Sequence, residues 1–334
     1  MQSTKEMERA AADGDISAMT ALGKLSLIGQ AGTLSAVDGT KLLLAAAEGG
    51  SGEADSVISV LIAADAKDLR DWSLALGYLQ RGAERGWPSA QEQLCLVACD
   101  RSLVLAVQSG RREHAVWEKL RDSVDVPALL RAPPAVMVSK APRVMTIRGF
   151  ASPAECGWMI ERSRARMTPA QVFDWQTGKA STHSSRTNSA VRFNILDTDF
   201  ILALLRARIA DATRFARTSL EEVNILHYEA GQEFKRHFDW FDAADESSAA
   251  EICAKGQRAA TFLIYLNDDF EGAETEFPLI GLRYKGTPGD ALFFLNVDEA
   301  GKPDRMTLHA GLAPATGEKW LLSQWIRGIP GVGV

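Results

Sequence analysis

Three segments in the first hundred residues align without a gap: AAADGDISAMTAL from Ala10, AAEGGSGEADSVI from Ala46 and GAERGWPSAQEQL from Gly82. Gly14, Gly50 and Gly86 recur every 36 residues, and Ala11, Ala47 and Ala83 keep the same phase. So do Ala18, Ala54 and Ala90, and the apolar sets Met7, Leu43, Leu79 and Leu22, Ile58, Leu94. A fixed period of this size means stacked supersecondary units, because one unit alone cannot bury its apolar face. Each unit reads as a helix ending near the glycine, a short turn and a second helix. Glycine suits the helix end because it takes positive φ without a Cβ penalty. The alanines allow two helices to approach closely.

The pattern AAExGxxxA over residues 5–100 resembles SEL-like repeats, relatives of the tetratricopeptide class. The resemblance implies either a concave surface that docks a protein or peptide or a helical cap that stabilises its neighbour.

The full 334 residues suit two domains, and 46% hydrophobic with 24% charged residues supports packed cores. The charge of -6 argues against a nucleic-acid or membrane-surface binder, which usually carries a basic face. No apolar run reaches the roughly 18 residues of a membrane helix. The N-terminus lacks the basic and apolar regions of a secretory signal. Cys95, Cys99, Cys156 and Cys253 are few and irregularly spaced, so free thiols and a cytoplasmic location are expected.

Helices are expected to continue to about residue 125. Pro127, Pro133, Pro134 and Pro142 then mark a linker over 126–142, separating a repeat domain (1–125) from a second domain (143–334). Within the latter, residues 144–150 read as a strand. Ser152, Pro153 and Glu155 read as a capped helix start, 172–192 as a polar loop and 198–217 as a helix. Beyond Ser219, EVNILHY, AATFLIYL, DALFFLNV and KWLLSQWIR are short, apolar and separated by turn residues. The expected fold class is α+β: an α-helical repeat array followed by a jelly roll with flanking helices.

The chemistry concentrates in the β region. In His237-Phe238-Asp239 an extended strand would present imidazole and carboxylate on one face. His309 follows Asp239 by 70 residues. Two histidines and a carboxylate match the facial triad that holds non-haem Fe(II) with open positions. Lys319, if buried beside such a site, needs an anionic partner. On the last strand Lys319, Leu321, Ser323 and Trp325 share a face, and Trp320, Leu322 and Ile326 the other.

Four segments then appear in order: YEAGQEFKRHFDWFD from Tyr228, RAATFLIYLNDDFEGAETEFP from Arg258, GDALFFLN from Gly289 and LHAGLAPATGEKWLLSQWIR from Leu308. Together they resemble the catalytic domain of prolyl 4-hydroxylases and the wider Fe(II)/2-oxoglutarate dioxygenases, over about residues 143–328. The resemblance implies a double-stranded β-helix and iron held by His237, Asp239 and His309. It implies the C5 carboxylate of 2-oxoglutarate on Lys319, hydrogen bonds from Tyr228 and Thr275, and Trp325 and Phe294 as an aromatic wall. Ascorbate is an expected reductant. Arg186 and Asn188, in an R-T-N segment, become candidate substrate contacts, and loop 242–257 corresponds to a lid or a solvated loop.

Two positions depart from the family pattern. Phe234 replaces a frequent tyrosine, and Gly272-Ala273 replaces a glycine pair, which fits only if Ala273 needs no positive φ. The implied reaction hydroxylates a C–H bond, of a prolyl residue in a peptide or protein, as 2-oxoglutarate becomes succinate and CO2. The alternatives are another side chain, a free amino acid or a small metabolite as substrate, or an inactive repeat-based adaptor.

Overall fold

A computed structural model describes residues 4–174, 179–181 and 184–328. The chain divides into two units. One comprises Met1–Arg131 with Asn194–Arg208, the other Ala132–Phe193 with Ile209–Val334.

The first unit is helical. Helices α1 (Thr4–Ala12) and α2 (Ile16–Leu27), α3 (Ala36–Glu48) and α4 (Gly52–Asp65), and α5 (Leu69–Glu84) and α6 (Pro88–Val97) form the three expected pairs. Gly14, Gly50 and Gly86 sit between partners with φ of 91°, 104° and 82°. The residue after each glycine closes the first helix with a backbone bond: Asp15 N to Ala10 O, Ser51 N to Ala46 O, Trp87 N to Gly82 O. In the first two turns that residue also caps the next helix, since Asp15 and Ser51 side chains accept from Ala18 N and Ala54 N.

A fourth pair escaped the period. Helices α7 (Arg101–Gln108) and α8 (His114–Asp122) flank Gly110 at φ 101°, with Arg111 N bonded to Ala106 O. Helix α9 (Val126–Leu130) follows. Small residues set the crossings. A Cβ on Gly82 would meet Gly52 O at 2.9 Å and the Ala90 Cβ at 3.1 Å.

The second unit begins with β1 (Val136–Lys140) and β2 (Arg143–Ile147), then α10 (Pro153–Arg164), whose Ser152–Glu155 capping box matches the expectation. Strands β3 (Thr168–Pro169), β4 (Val172–Asp174), β5 (Lys179–Ser181) and β6 (Ser189–Phe193) precede helix α11 (Phe200–Thr213). Then come β7 (Val223–Glu229), β8 (Phe234–His237), helix α12 (Glu246–Lys255) and β9 (Arg258–Tyr265). The remainder is β10 (Phe270–Gly272), β11 (Thr275–Phe277), β12 (Leu282–Tyr284), β13 (Ala291–Leu295), β14 (His309–Gly311) and β15 (Pro314–Arg327).

The major sheet runs β1-β2-β13-β9-β15-β7-β6-β3 with β10 on β15, the minor sheet β12-β11-β14-β8, and β4 pairs β5. All pairings are antiparallel, and the layers enclose a core of Leu226, Leu263, Tyr265, Phe277, Phe294 and Leu321. This is the expected jelly-roll class.

Several expectations change. The proline-marked linker holds α9 and edge strand β1, because Pro127 sits in the first turn of α9 and Pro133, Pro134 and Pro142 fall outside β1. The expected loop 172–192 contains β4, β5 and the start of β6; its residues 175–178 and 182–183 lie outside the described residues. Loop 242–257 carries α12, capped by Asp245. Residues 200–208 of α11 group with the helical unit: Phe200 packs edge-on against Trp72 at 5.8 Å, and its N–H donates to Gln93 Oε1 at 2.8 Å. Its first six residues, 200–205, are apolar on all sides, so the sequence does not reveal which neighbour they serve.

The four cysteines are free thiols. No helix among the described residues is long and apolar enough to cross a membrane.

Candidate active site

His237 ends β8 and His309 begins β14, and the antiparallel register sets them directly opposite each other. Their rings lie 4.2 Å apart between centroids. Asp239 stands beside both: Oδ1 is 3.6 Å from His237 Nε2, and Oδ2 is 3.6 Å from His309 Nε2. Ligand atoms of the three residues all fall within 4.8 Å of one another.

Each histidine is oriented by its other nitrogen. His237 Nδ1 lies 2.7 Å from Lys235 O, and His309 Nδ1 lies 3.0 Å from Thr307 O. A carbonyl only accepts, so Nδ1 carries the proton and Nε2 offers its lone pair. Burial, then the nearby His309, pushes His237 down to about 3, which keeps the ring neutral. Burial alone would raise the Asp239 carboxyl, but His309, His237 and the Thr261 hydroxyl hold it below the usual range.

Asp239 does not lie on β8; it occupies the bend after it. Its place is fixed from the major sheet instead. Thr261 Oγ1 on β9 donates to Asp239 Oδ2 at 2.7 Å, and Asn296 Nδ2 donates to Thr261 Oγ1 at 2.9 Å. Both supporting residues are buried. Two imidazoles that turn Nε2 inward and one ionised carboxylate on a convergent face fit a divalent iron.

A narrow chamber adjoins the triad. Lys319, Leu321, Ser323 and Trp325 all line it, as the strand parity predicts. Lys319 and Tyr228 are cross-strand partners on β15 and β7. Lys319 is 1% exposed, and its Nζ donates to Ala273 O at 2.7 Å. Burial, with Lys285 adding repulsion against the pull of Glu274, brings its ammonium down to about 7. Tyr228 is pushed up to about 12 by burial, so its hydroxyl stays protonated. A buried ammonium, with a phenol and the Thr275 hydroxyl lining the same chamber, suits one end of a dicarboxylate.

The 2OG-Fe(II) oxygenase superfamily profile matches residues 223–327. Prolyl 4-hydroxylase 1 of Arabidopsis thaliana is 32% identical over 205 residues, covering 57% of this chain and 71% of its own length. The chain belongs to the prolyl 4-hydroxylase family of 2OG-Fe(II) oxygenases. Prolyl 4-hydroxylase subunit alpha-1 of Rattus norvegicus is 30% identical, covering 56% of this chain and 34% of that one. A viral collagen prolyl hydroxylase of Paramecium Bursaria Chlorella virus-1, solved with 2OG, is 28% identical and covers 56% of this chain and 96% of that chain, with a TM-score of 0.43. The protein is therefore an iron(II)- and 2-oxoglutarate-dependent dioxygenase.

Against that family pattern, Ala273 adopts φ 57° after Gly272 at 69°. The expectation that an alanine there avoids positive φ is wrong. The left-handed turn, which costs a non-glycine residue about 1–2 kcal/mol, aims the Ala273 carbonyl at Lys319. Phe234 stacks on His237 at 3.5 Å and 16°, so a hydroxyl is replaced by a face-on contact with the ligand ring. Phe294 does not line the chamber; it packs behind His309 at 4.9 Å and fixes that ring. Trp325 does line it, under the Arg258 guanidinium at 3.6 Å.

Arg186 reaches the chamber wall. Asn188 does not line it. It is 1% exposed, and its Oδ1 accepts from Arg186 Nε at 3.2 Å, so it orients the arginine.

Three residues escaped the sequence reading: Thr261, Asn296 and Tyr265. Tyr265 is buried, contacts Thr275 Oγ1 at 2.8 Å and donates to Tyr284 O at 2.9 Å. The available signal was parity, since Thr261 and Tyr265 are the polar residues on one face of the apolar run AATFLIYL.

Proposed function

We propose that the protein hydroxylates a prolyl residue within a peptide or protein as it converts 2-oxoglutarate to succinate and CO2. The observation that carries this reading is the continuity of the chamber with a larger open groove, the two sharing Arg186, Phe234, His237, Asp239 and Trp325 as lining residues. A free amino acid would not need a groove of that extent, whereas a chain passing over the mouth would. The prolyl 4-hydroxylase relatives support proline as the target.

His237, Asp239 and His309 hold iron in this reading, which when bound supplies the activation of dioxygen. The two Nδ1 bonds and Thr261 fix the ligand rings and carboxylate before the metal arrives. Lys319 pairs with the C5 carboxylate of 2-oxoglutarate, helped by Tyr228 and Thr275. Trp325 and Phe234 shield the chamber from water. Arg186, at the junction of chamber and groove, contacts the substrate backbone or side chains. The helical repeats are the candidate recruiter of a protein substrate, with Val37, Leu69, Leu74 and Leu105 as exposed apolar contacts.

The test is incubation with Fe(II), 2-oxoglutarate and proline-containing peptides. A peptide mass gain of one oxygen, located on proline and matched by succinate, is expected. Oxygen placed on another residue or on a small metabolite, with proline untouched, would overturn the prolyl assignment.

A further inference from the structure

The open groove is cationic on an acidic protein. Arg186, Arg192, Lys235, Arg236 and Arg258 line it, and among the described lining residues Asp239 is the one carboxylate. The whole chain carries -6. The loaded centre does not call for those cations. The two charges of Fe(II) and that of Lys319 offset Asp239 and the two carboxylates of 2-oxoglutarate, leaving it neutral. The groove's positive charge therefore faces whatever lies along it.

Internal partners account for only part of it. Arg258 is held by Glu221, which Arg327 shares. Arg236 reaches Glu276 at 3.5 Å, but Arg283 already binds that carboxylate through Nε and Nη2 at 2.9 and 2.7 Å. Arg192 stands 3.8 Å from Glu222, with both side chains half or more exposed. Lys235 is exposed and has no carboxylate partner among the described residues. The three outer cations flank the groove. Arg192 rises from β6 in the major sheet, and Lys235 and Arg236 from β8 in the minor sheet. Between them Phe238, Phe241 and Trp325 offer apolar surface.

We propose that this groove selects peptides bearing acidic side chains beside the residue to be hydroxylated, read by Arg192, Lys235 and Arg236. The inference rests on the peptide-hydroxylase reading and specifies its substrate class. Exposed ion pairs are individually weak, so two or three together correspond to roughly tenfold in kcat/KM.

The test uses the full chain with Fe(II) and 2-oxoglutarate and three peptides sharing one central proline flanked by glutamates, glutamines or lysines. The expected order at low salt is glutamate, glutamine, lysine, with the outer pair about tenfold apart. The gap should collapse near 1 M salt, where the screening length is about 3 Å. R192E/K235E should invert the glutamate-to-lysine ratio, and R192Q/K235Q should flatten it. Because each ratio is internal to one protein, partial loss of folding does not mimic the result.

Equal rates for the three peptides at low salt, or an unchanged ratio in R192E/K235E, would overturn the proposal. If no peptide is hydroxylated, the peptide-hydroxylase reading fails by itself. Fluorescence anisotropy of the same labelled peptides then decides the groove: tighter glutamate binding lost in R192E/K235E supports it, and indifference to charge overturns it.

Discussion

The helical unit and the β unit use buried polarity in opposite ways. In the repeats, buried polar groups are paired within the unit, as Asp55 is with Arg81 and Arg85 and Ser59 with Ala75 O. Small residues sit at the crossings, and the glycine turns satisfy their own backbone groups, as at Gly14, Gly50, Gly86 and Gly110. The β core instead buries His309, Asp239, Thr261, Asn296 and Lys319, all under 9% exposed. The repeat unit is built for stability first. The β unit gives up stability at its centre to keep a metal face and an ammonium waiting for partners.

The sharpest break in that comparison is His309→Ala. It should reduce succinate formation to background while circular dichroism stays unchanged. Turnover above a tenth of wild type would remove His309 from the metal set.

Lys319→Met should weaken 2-oxoglutarate binding severely and yet stabilise the iron-free protein by about 1–4 kcal/mol in urea unfolding, since a buried charge gives way to an apolar chain of similar length. The pH dependence has a defined sign. The native ammonium is held near 7 and the unfolded one near 10.5, so the unfolded chain binds more protons in that window. The penalty that Lys319 places on the fold therefore shrinks as pH rises from about 7 to 10.5. Binding the anion requires the charged form, so calorimetry above pH 7 should show proton uptake on 2-oxoglutarate binding. No uptake would mean Lys319 is already charged.

Thr261→Val should weaken iron binding about 10–100-fold with little change in stability, because Asp239 loses its hydroxyl donor. In the repeats, Gly82→Ala should cost about 1–3 kcal/mol with catalysis per folded molecule unchanged, because the new Cβ meets Gly52 O at 2.9 Å. The smallest effect is expected for Ala273→Gly. Relief of the left-handed turn and loss of a buried methyl, each about 1 kcal/mol, oppose one another. A stability change above about 1 kcal/mol would show that one of them is misjudged.

Periodic and local features were legible in the sequence. The glycine spacing located three helix pairs, and the Ser152–Glu155 box located the start of α10. Parity on β15 brought Lys319 and Trp325 to one chamber. Features that depend on partners distant in sequence were not legible. Asp239 reaches its place through Thr261, 22 residues on, rather than through strand alternation. The fourth pair around Gly110 follows Gly86 by 24 residues instead of 36, so it falls out of phase. Strand β1 pairs with β2 alone at the sheet edge, and the prolines on either side of it mask the strand propensity of Val136 and Val138. Ala273 hid its positive φ because the turn is imposed by the β10–β15 pairing around it.

Anaerobic titration of the purified protein with Fe(II) and 2-oxoglutarate, read by the visible charge-transfer band of the chelate, tests the central claim most directly. A band should appear with one iron per chain, vanish in His309→Ala, and require far more 2-oxoglutarate in Lys319→Met. A folded wild-type protein giving no band, or a band indifferent to both substitutions, would contradict the assignment of this site.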